Sequence, residues 1–77
     1  MKLSDAARTH PSDWIPRENM RPVEAAWYTG ISTSKLAKLR MMENREYGPR
    51  FVKISGCVIY KRSDLDDWID RHAVGDR

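Results

Sequence analysis

The side chains able to do catalytic chemistry are few in this 77-residue sequence, and they are poorly spaced for it. Cys57 is the single cysteine, so no internal disulfide is expected, and His10 and His72 alone make no zinc set. Asp64, Asp66 and Asp67 crowd one segment after Ser63. No second catalytic group accompanies them, and a chain this short has too little interior to wall off a deep reaction pocket. A paired general acid and base is therefore not expected. The aspartates suit the first turn of a helix, whose positive end carboxylates stabilise, and His72 suits the end of that helix. Cys57 reads as incidental at a turn. The sequence implies no enzyme, metal, cofactor or small-molecule substrate.

A different chemistry, the grip of a polyanion, is written into the middle of the chain. From Lys35 to Arg62 there are eight basic residues (Lys35, Lys38, Arg40, Arg45, Arg50, Lys53, Lys61, Arg62) against Glu43 and Glu46. In residues 1–34 four basic and four acidic side chains cancel, and from Ser63 onward five aspartates outweigh two arginines. The net charge of +3 thus hides a basic centre between a neutral and an acidic end. Such segregation is an electrostatic footprint for a polyanion, although a solvated mixed surface has the same composition. No apolar run approaches the roughly 18 residues of a membrane span and no signal-peptide core is seen, so a cytoplasmic, nucleoid-associated setting is expected.

The elements that must position these residues can be read along the chain. Residues 1–19 hold Pro11, Pro16 and scattered polar residues without periodicity, which predicts a flexible N-terminal arm. Trp14 and Ile15 are the part of it that can pack back. One domain is expected over residues 20–72, with 73–77 as a C-terminal tail. Arg21-Pro22 fits a helix start that runs to about Tyr28 and stops at Gly30. Ser32 or Thr33 caps a second helix, from Thr33 to about Met42 or Glu43. Gly48-Pro49 breaks the chain, and "RFVKISGCVIYK" predicts a hairpin of two short strands around Ser55-Gly56. "RSDLDDWIDRH" predicts a last helix with Ser63 as N-cap and Leu65, Trp68, Ile69 and His72 on one face. Phe51, Val52, Ile54, Val58 and Tyr60 are expected mostly in the core with Leu65, Trp68 and Ile69.

Gly30 supplies the tight bend between the first two helices, Ala26 is small where they cross, and Ala25, Thr29 and Ile31 approach the interior of the pair. Leu36 and Leu39 answer from the second helix. At about 100° per residue, Ser34, Ala37, Lys38, Met41 and Arg45 point away from those leucines, with Thr33 at the entrance and Lys35 beside them. This is the helix-turn-helix arrangement, whose second helix lies in the DNA major groove. Short hydroxyls, a small Ala37 for close approach, Lys38 for a guanine edge or phosphate, and apolar Met41 suit base reading. A plain helical hairpin with a polar solvent face is the alternative. A β-hairpin after the second helix would act as a wing on the neighbouring backbone or minor groove. There Arg50, Lys53, Lys61 and Arg62 meet phosphates around the Ser55-Gly56 tip.

With these residues in view, the sequence resembles the excisionase and AlpA-like winged helix-turn-helix proteins of phages and integrative elements, distantly akin to the MerR group. The carrying stretches are "EAAWYTGIS" (Glu24 to Ser32), "SKLAKLR" (Ser34 to Arg40) and "GPRFVKISGCVIYKRSDLDDWI" (Gly48 to Ile69), within about Arg21 to Arg71. The resemblance implies a mainly α fold with a small β-hairpin, in the order α-α-β-β-α. It also implies cooperative binding to short repeated sites on double-stranded DNA. An excisionase, or recombination directionality factor, bends DNA and directs a site-specific integrase toward excision. An AlpA-like relative regulates transcription. By motif position Thr33, Ser34, Ala37 and Lys38 would read the major groove, and Lys53 to Tyr60 would form the wing.

The sequence departs from the family at four places. Trp27 stands where a charged residue is usual, Thr29 where leucine is, and Cys57 and Ile59 where the wing is often basic. Less charge in the wing shifts affinity toward the second helix. Trp27 is read as the cover of a thin core or, together with Ile59, as a contact between neighbouring copies along DNA. Two other readings of the same fold are a protein-interaction adaptor that leaves DNA untouched and the recognition part of a phage terminase small subunit. The basic centre argues against the first, and the lack of long assembly helices against the second.

Overall fold

The computed structural model describes residues 11–75. Its first ordered feature is a segment expected to be loose. Glu24 gathers it in: the carboxylate accepts from Trp14 Nε1 at 3.2 Å and from the Arg21 backbone N–H at 3.2 Å, and pairs with Arg17 Nε at 3.3 Å. Trp14 then meets Trp27 edge to face, with ring centroids 5.4 Å apart. A short strand, β1 (Asn19–Met20), follows, and Met20 is fully buried. Trp14 packs back as expected while Ile15 stays exposed, and the expectation of a flexible arm is corrected for residues 16–19. Apolar Trp14 and Met20 have a core to join, and one carboxylate fixes the path between them. Residues 1–10 and 76–77, parts of the expected arm and tail, lie outside the described residues.

Helix α1 (Pro22–Thr29) begins on a proline, which lacks the N–H a first-turn residue would leave unpaired. It ends on Gly30 at φ 80°, whose N–H donates to the Ala26 carbonyl at 2.8 Å. Thr29 completes the elbow, its hydroxyl donating to Ala25 O at 2.9 Å and accepting from Ile31 N–H at 3.1 Å. Helix α2 (Thr33–Leu39) is capped by Ser32, whose hydroxyl accepts from Lys35 N–H at 3.2 Å.

The second helix is shorter than its pattern predicts. Met41 is extended (ψ 148°), and the chain continues as a 3-10 turn over Met42–Tyr47. Side chains take over the carbonyls a longer helix would have paired. Asn44 Nδ2 donates to Lys38 O at 3.0 Å and Arg45 Nε to Arg40 O at 3.0 Å. Gly48 then passes so close that a Cβ there would lie 2.8 Å from Leu39 Cβ and 3.0 Å from Leu39 O.

The sheet has three antiparallel strands in the order β1-β3-β2, with β2 at Val52–Ile54 and β3 at Cys57–Lys61. Met20 pairs with Tyr60 and Val52 with Ile59. The hairpin was expected as two strands; β1 adds the third because Asn19 and Met20 run beside β3. The two-residue turn has φ 50° at Ser55 and 81° at Gly56, the positive pair that matches strand twist. Strand β3 runs straight into helix α3 (Arg62–Arg71), so extended Lys61, not Ser63, holds the N-cap position. His72 ends α3 as expected, its Nδ1 2.9 Å from Trp68 O. That carbonyl can only accept, so Nδ1 carries the hydrogen.

Met20, Ala25, Ala26, Leu36, Tyr60 and Leu65 form the buried core, with Trp14, Tyr28, Ile31, Phe51 and Val58 packed against it. Three residues expected inside are exposed: Val52, Ile54 and Ile69. Strand β2 is the sheet edge and presents one face to solvent, while Ile69 sits off the Leu65–Trp68 line on α3. Tyr28 ties α1 to α3 through a 2.6 Å hydrogen bond to Asp66 Oδ1. Among the described residues no helix is long and apolar enough to cross a membrane.

Candidate nucleic-acid interface

Helix α2 buries Leu36 and half-buries Leu39, which fixes its rotation about the axis. Ser34, Ala37 and Lys38 then point outward, and all three are exposed. Thr33 is half-buried at the flank. Lys35, also exposed, leans to the other flank, where it lines a groove with Leu39 rather than facing outward with Lys38. Met41 and Arg45 are exposed but lie beyond the helix end, so they do not continue its outer face as predicted.

The break after Leu39 gives Arg45 a different setting. Its guanidinium carbon sits 5.3 Å from the Phe51 ring centroid, a cation–π contact at the base of the hairpin. Arg45, Arg50 and Lys53 thereby line one cleft of about 450 Å³ with Gly48, Pro49 and Phe51. Gly48, one wall of this cleft, packs close against Leu39, so the cleft adjoins the C-terminal end of α2. Among the described residues, Lys35, Lys38, Arg50 and Lys53 are exposed and make no salt bridge.

The remaining basic residues disperse. Arg40 turns inward, donating from Nη1 to the hydroxyl of fully buried Tyr60 at 2.8 Å, with its guanidinium 6.0 Å from that ring's centroid. Lys61 shares a smaller cleft with Arg50, Ser63 and Asp64. Arg62 is half-buried, its positive charge opposes the rise in the Tyr28 pKa, and its backbone N–H donates to Glu18 O at 2.8 Å. Of the expected set, Lys53 and Lys61 line different clefts that share Arg50, and Arg62 lines neither. Ser55 and Gly56 form the exposed hairpin tip, as predicted.

Trp27 and Ile59 are both half-buried, and Trp27 meets Trp14, so the cover of a thin core describes Trp27 better than an open contact. A second concavity of about 650 Å³ lies between α2 and the end of α3, walled by Ile31, Leu39, Tyr47, Trp68 and Ile69 with Lys35, Asp70 and His72 at its rim. Sequence reasoning missed Glu24 as the anchor of the N-terminal segment, Arg40 as a buried brace and Asn44 as the terminator of α2. Asn44, Arg45 and Gly48, close after the helix, were the available signal for an early end. No protein-family model, curated protein or solved structure matches the chain.

Proposed function

We propose that this chain is a sequence-specific double-stranded-DNA-binding protein of the winged helix-turn-helix type. Its task would be that of an excisionase, a recombination directionality factor of a mobile element, working with a site-specific integrase and with further copies of itself. It has no bond-making chemistry of its own. Helix α2 is the reading element, with Ser34, Ala37 and Lys38 toward base edges in the major groove. The β2–β3 hairpin is the wing, with Arg45, Arg50 and Lys53 toward phosphates.

The observation that supports this reading is an exposed face of α2, Ser34, Ala37 and Lys38, on a helix whose end adjoins a cleft lined by Arg45, Arg50 and Lys53. Together they offer a small-residue contact face and the exposed cations Lys38, Arg50 and Lys53. Transcriptional regulation of the AlpA-like kind uses the same surface, and an integrase gene or attachment site beside the coding sequence separates the two roles.

The test is selection of duplexes from a random-sequence pool, followed by footprinting and band-shift titration on what is retained. A short motif bound in discrete steps is expected; retention without any motif would leave only nonspecific affinity. The apolar concavity between α2 and α3 favours a second reading, an adaptor that holds a protein segment. Lys35→Ala and Lys38→Ala separate it: loss of a protein partner with unchanged duplex binding would support the adaptor.

A further inference from the structure

The hairpin carries an apolar side chain where its own core cannot use it. Ile54 is the last residue of β2, immediately before the Ser55-Gly56 turn, and is 55% exposed. Its strand partner is Cys57, and Val52 two residues back pairs with Ile59. Alternate residues share a face, so these four make the outer face of the hairpin. Lys53 pairs with Val58 and projects on the opposite face, which packs toward the core. The tip thus presents a branched apolar group on one side and an ammonium on the other.

The end of the hairpin is also thin. Ser55 and Gly56 are the two turn residues, and nothing lies within 4 Å of where a Cβ on Gly56 would stand. A minor groove is about 6 Å wide and admits such an edge where a helix would not enter. Lys53, Arg50 and Arg45 around the adjoining cleft supply the charge complementarity to the two phosphate walls.

We propose that Ile54 is a wedge: on DNA the tip enters the minor groove, and the isoleucine inserts at a base step, unstacking it and kinking the duplex. Inserted apolar side chains do this in other minor-groove proteins, where the kink lets the duplex wrap more protein surface. Flexible pyrimidine–purine steps unstack most easily, so Ile54 would add preference for such a step at a position where no side chain reads a base edge. The proposal rests on the DNA-binding reading above and adds a residue that sets both bend and preference.

The probe is a duplex selected by the full chain from a random pool and rebuilt with 2-aminopurine at successive positions, since its fluorescence rises when the base unstacks. Binding of the wild-type protein is expected to raise fluorescence at one step beneath the hairpin. Ile54→Ala should lose most of that rise and straighten the duplex in an end-to-end energy-transfer measurement, while Ile54→Leu keeps both and Val52→Ala changes little. Because Ile54 is exposed, its variants should keep the wild-type circular dichroism spectrum.

Duplexes that bind with no fluorescent step would overturn the wedge and leave DNA binding intact. So would an Ile54→Ala protein that keeps the rise but no longer loads in adjacent copies, which would assign the outer hairpin face to protein contact. A pool from which nothing is retained would overturn the DNA reading itself.

Discussion

Lys38 and Arg40 stand two residues apart and have opposite fates. Lys38 is exposed on the outer face of α2, whereas Arg40 spends its charge on the Tyr60 hydroxyl. Lys38→Ala is expected to weaken specific binding by about 1–3 kcal/mol, unequally across site variants, if the ammonium meets a base edge. A uniform loss across sites in the same titrations would place Lys38 on phosphate instead. Tyr28 gives a prediction independent of any ligand. Its pKa is raised, first by the hydrogen bond to Asp66, then by burial and the nearby negative charge. A folded-state value above the unfolded one means that this stabilisation is whole below about pH 10 and lost as pH climbs through the raised value. Urea midpoints of the wild type should therefore fall more steeply above pH 10 than those of Tyr28→Phe, and parallel curves would refute the linkage.

The second helix depends on how it is stopped as much as on how it is started. Ser32 caps one end, while the other is closed by Asn44, Arg45 and the close passage of Gly48 under Leu39. Gly48 has φ −107°, so glycine is required there for space and not for a left-handed backbone. Gly48→Ala would push a methyl group into Leu39 Cβ and its carbonyl, and should cost about 1–3 kcal/mol in chemical unfolding. It should also loosen the join between α2 and the basic cleft, so site-specific binding should fall more than stability alone explains. Unchanged stability would mean that the backbone yields without strain.

For the whole molecule, a small core makes every anchor count. A domain of this size rarely gains more than about 3–5 kcal/mol from its core, and Met20 is one of its fully buried side chains. Met20→Ala is expected to cost about 2–5 kcal/mol and leave much of the protein unfolded by tryptophan fluorescence at room temperature. A cost near zero would return residues 14–20 to the status of a loose arm. The charge distribution makes a prediction at the same scale. With Arg45, Arg50 and Lys53 on phosphates, the logarithm of the binding constant should fall against that of salt with a slope of about −3. Lys53→Ala should flatten it by about one. A flat salt dependence would remove DNA from the account of this surface.

The sequence by itself determined the local elements whose causes are local. Pro22 and Gly30 bounded α1, Ser32 opened α2, and Ser55-Gly56 turned the hairpin, each through backbone geometry within a few residues. The outward turn of Ser34, Ala37 and Lys38 was legible for the same reason, since one helix with two leucines has one way to face a core. Contacts between distant parts were not legible. Only the tertiary structure decided that Glu24 would gather Trp14, Arg17 and Arg21, that β1 would join β3, and that Arg40 would leave the basic surface for Tyr60. It also decided where α2 ends, because the Asn44 and Arg45 side chains compete for its last carbonyls only once the chain has folded back. Periodicity records which residues share a face of one element; it carries nothing about which polar groups from different elements meet when those faces close.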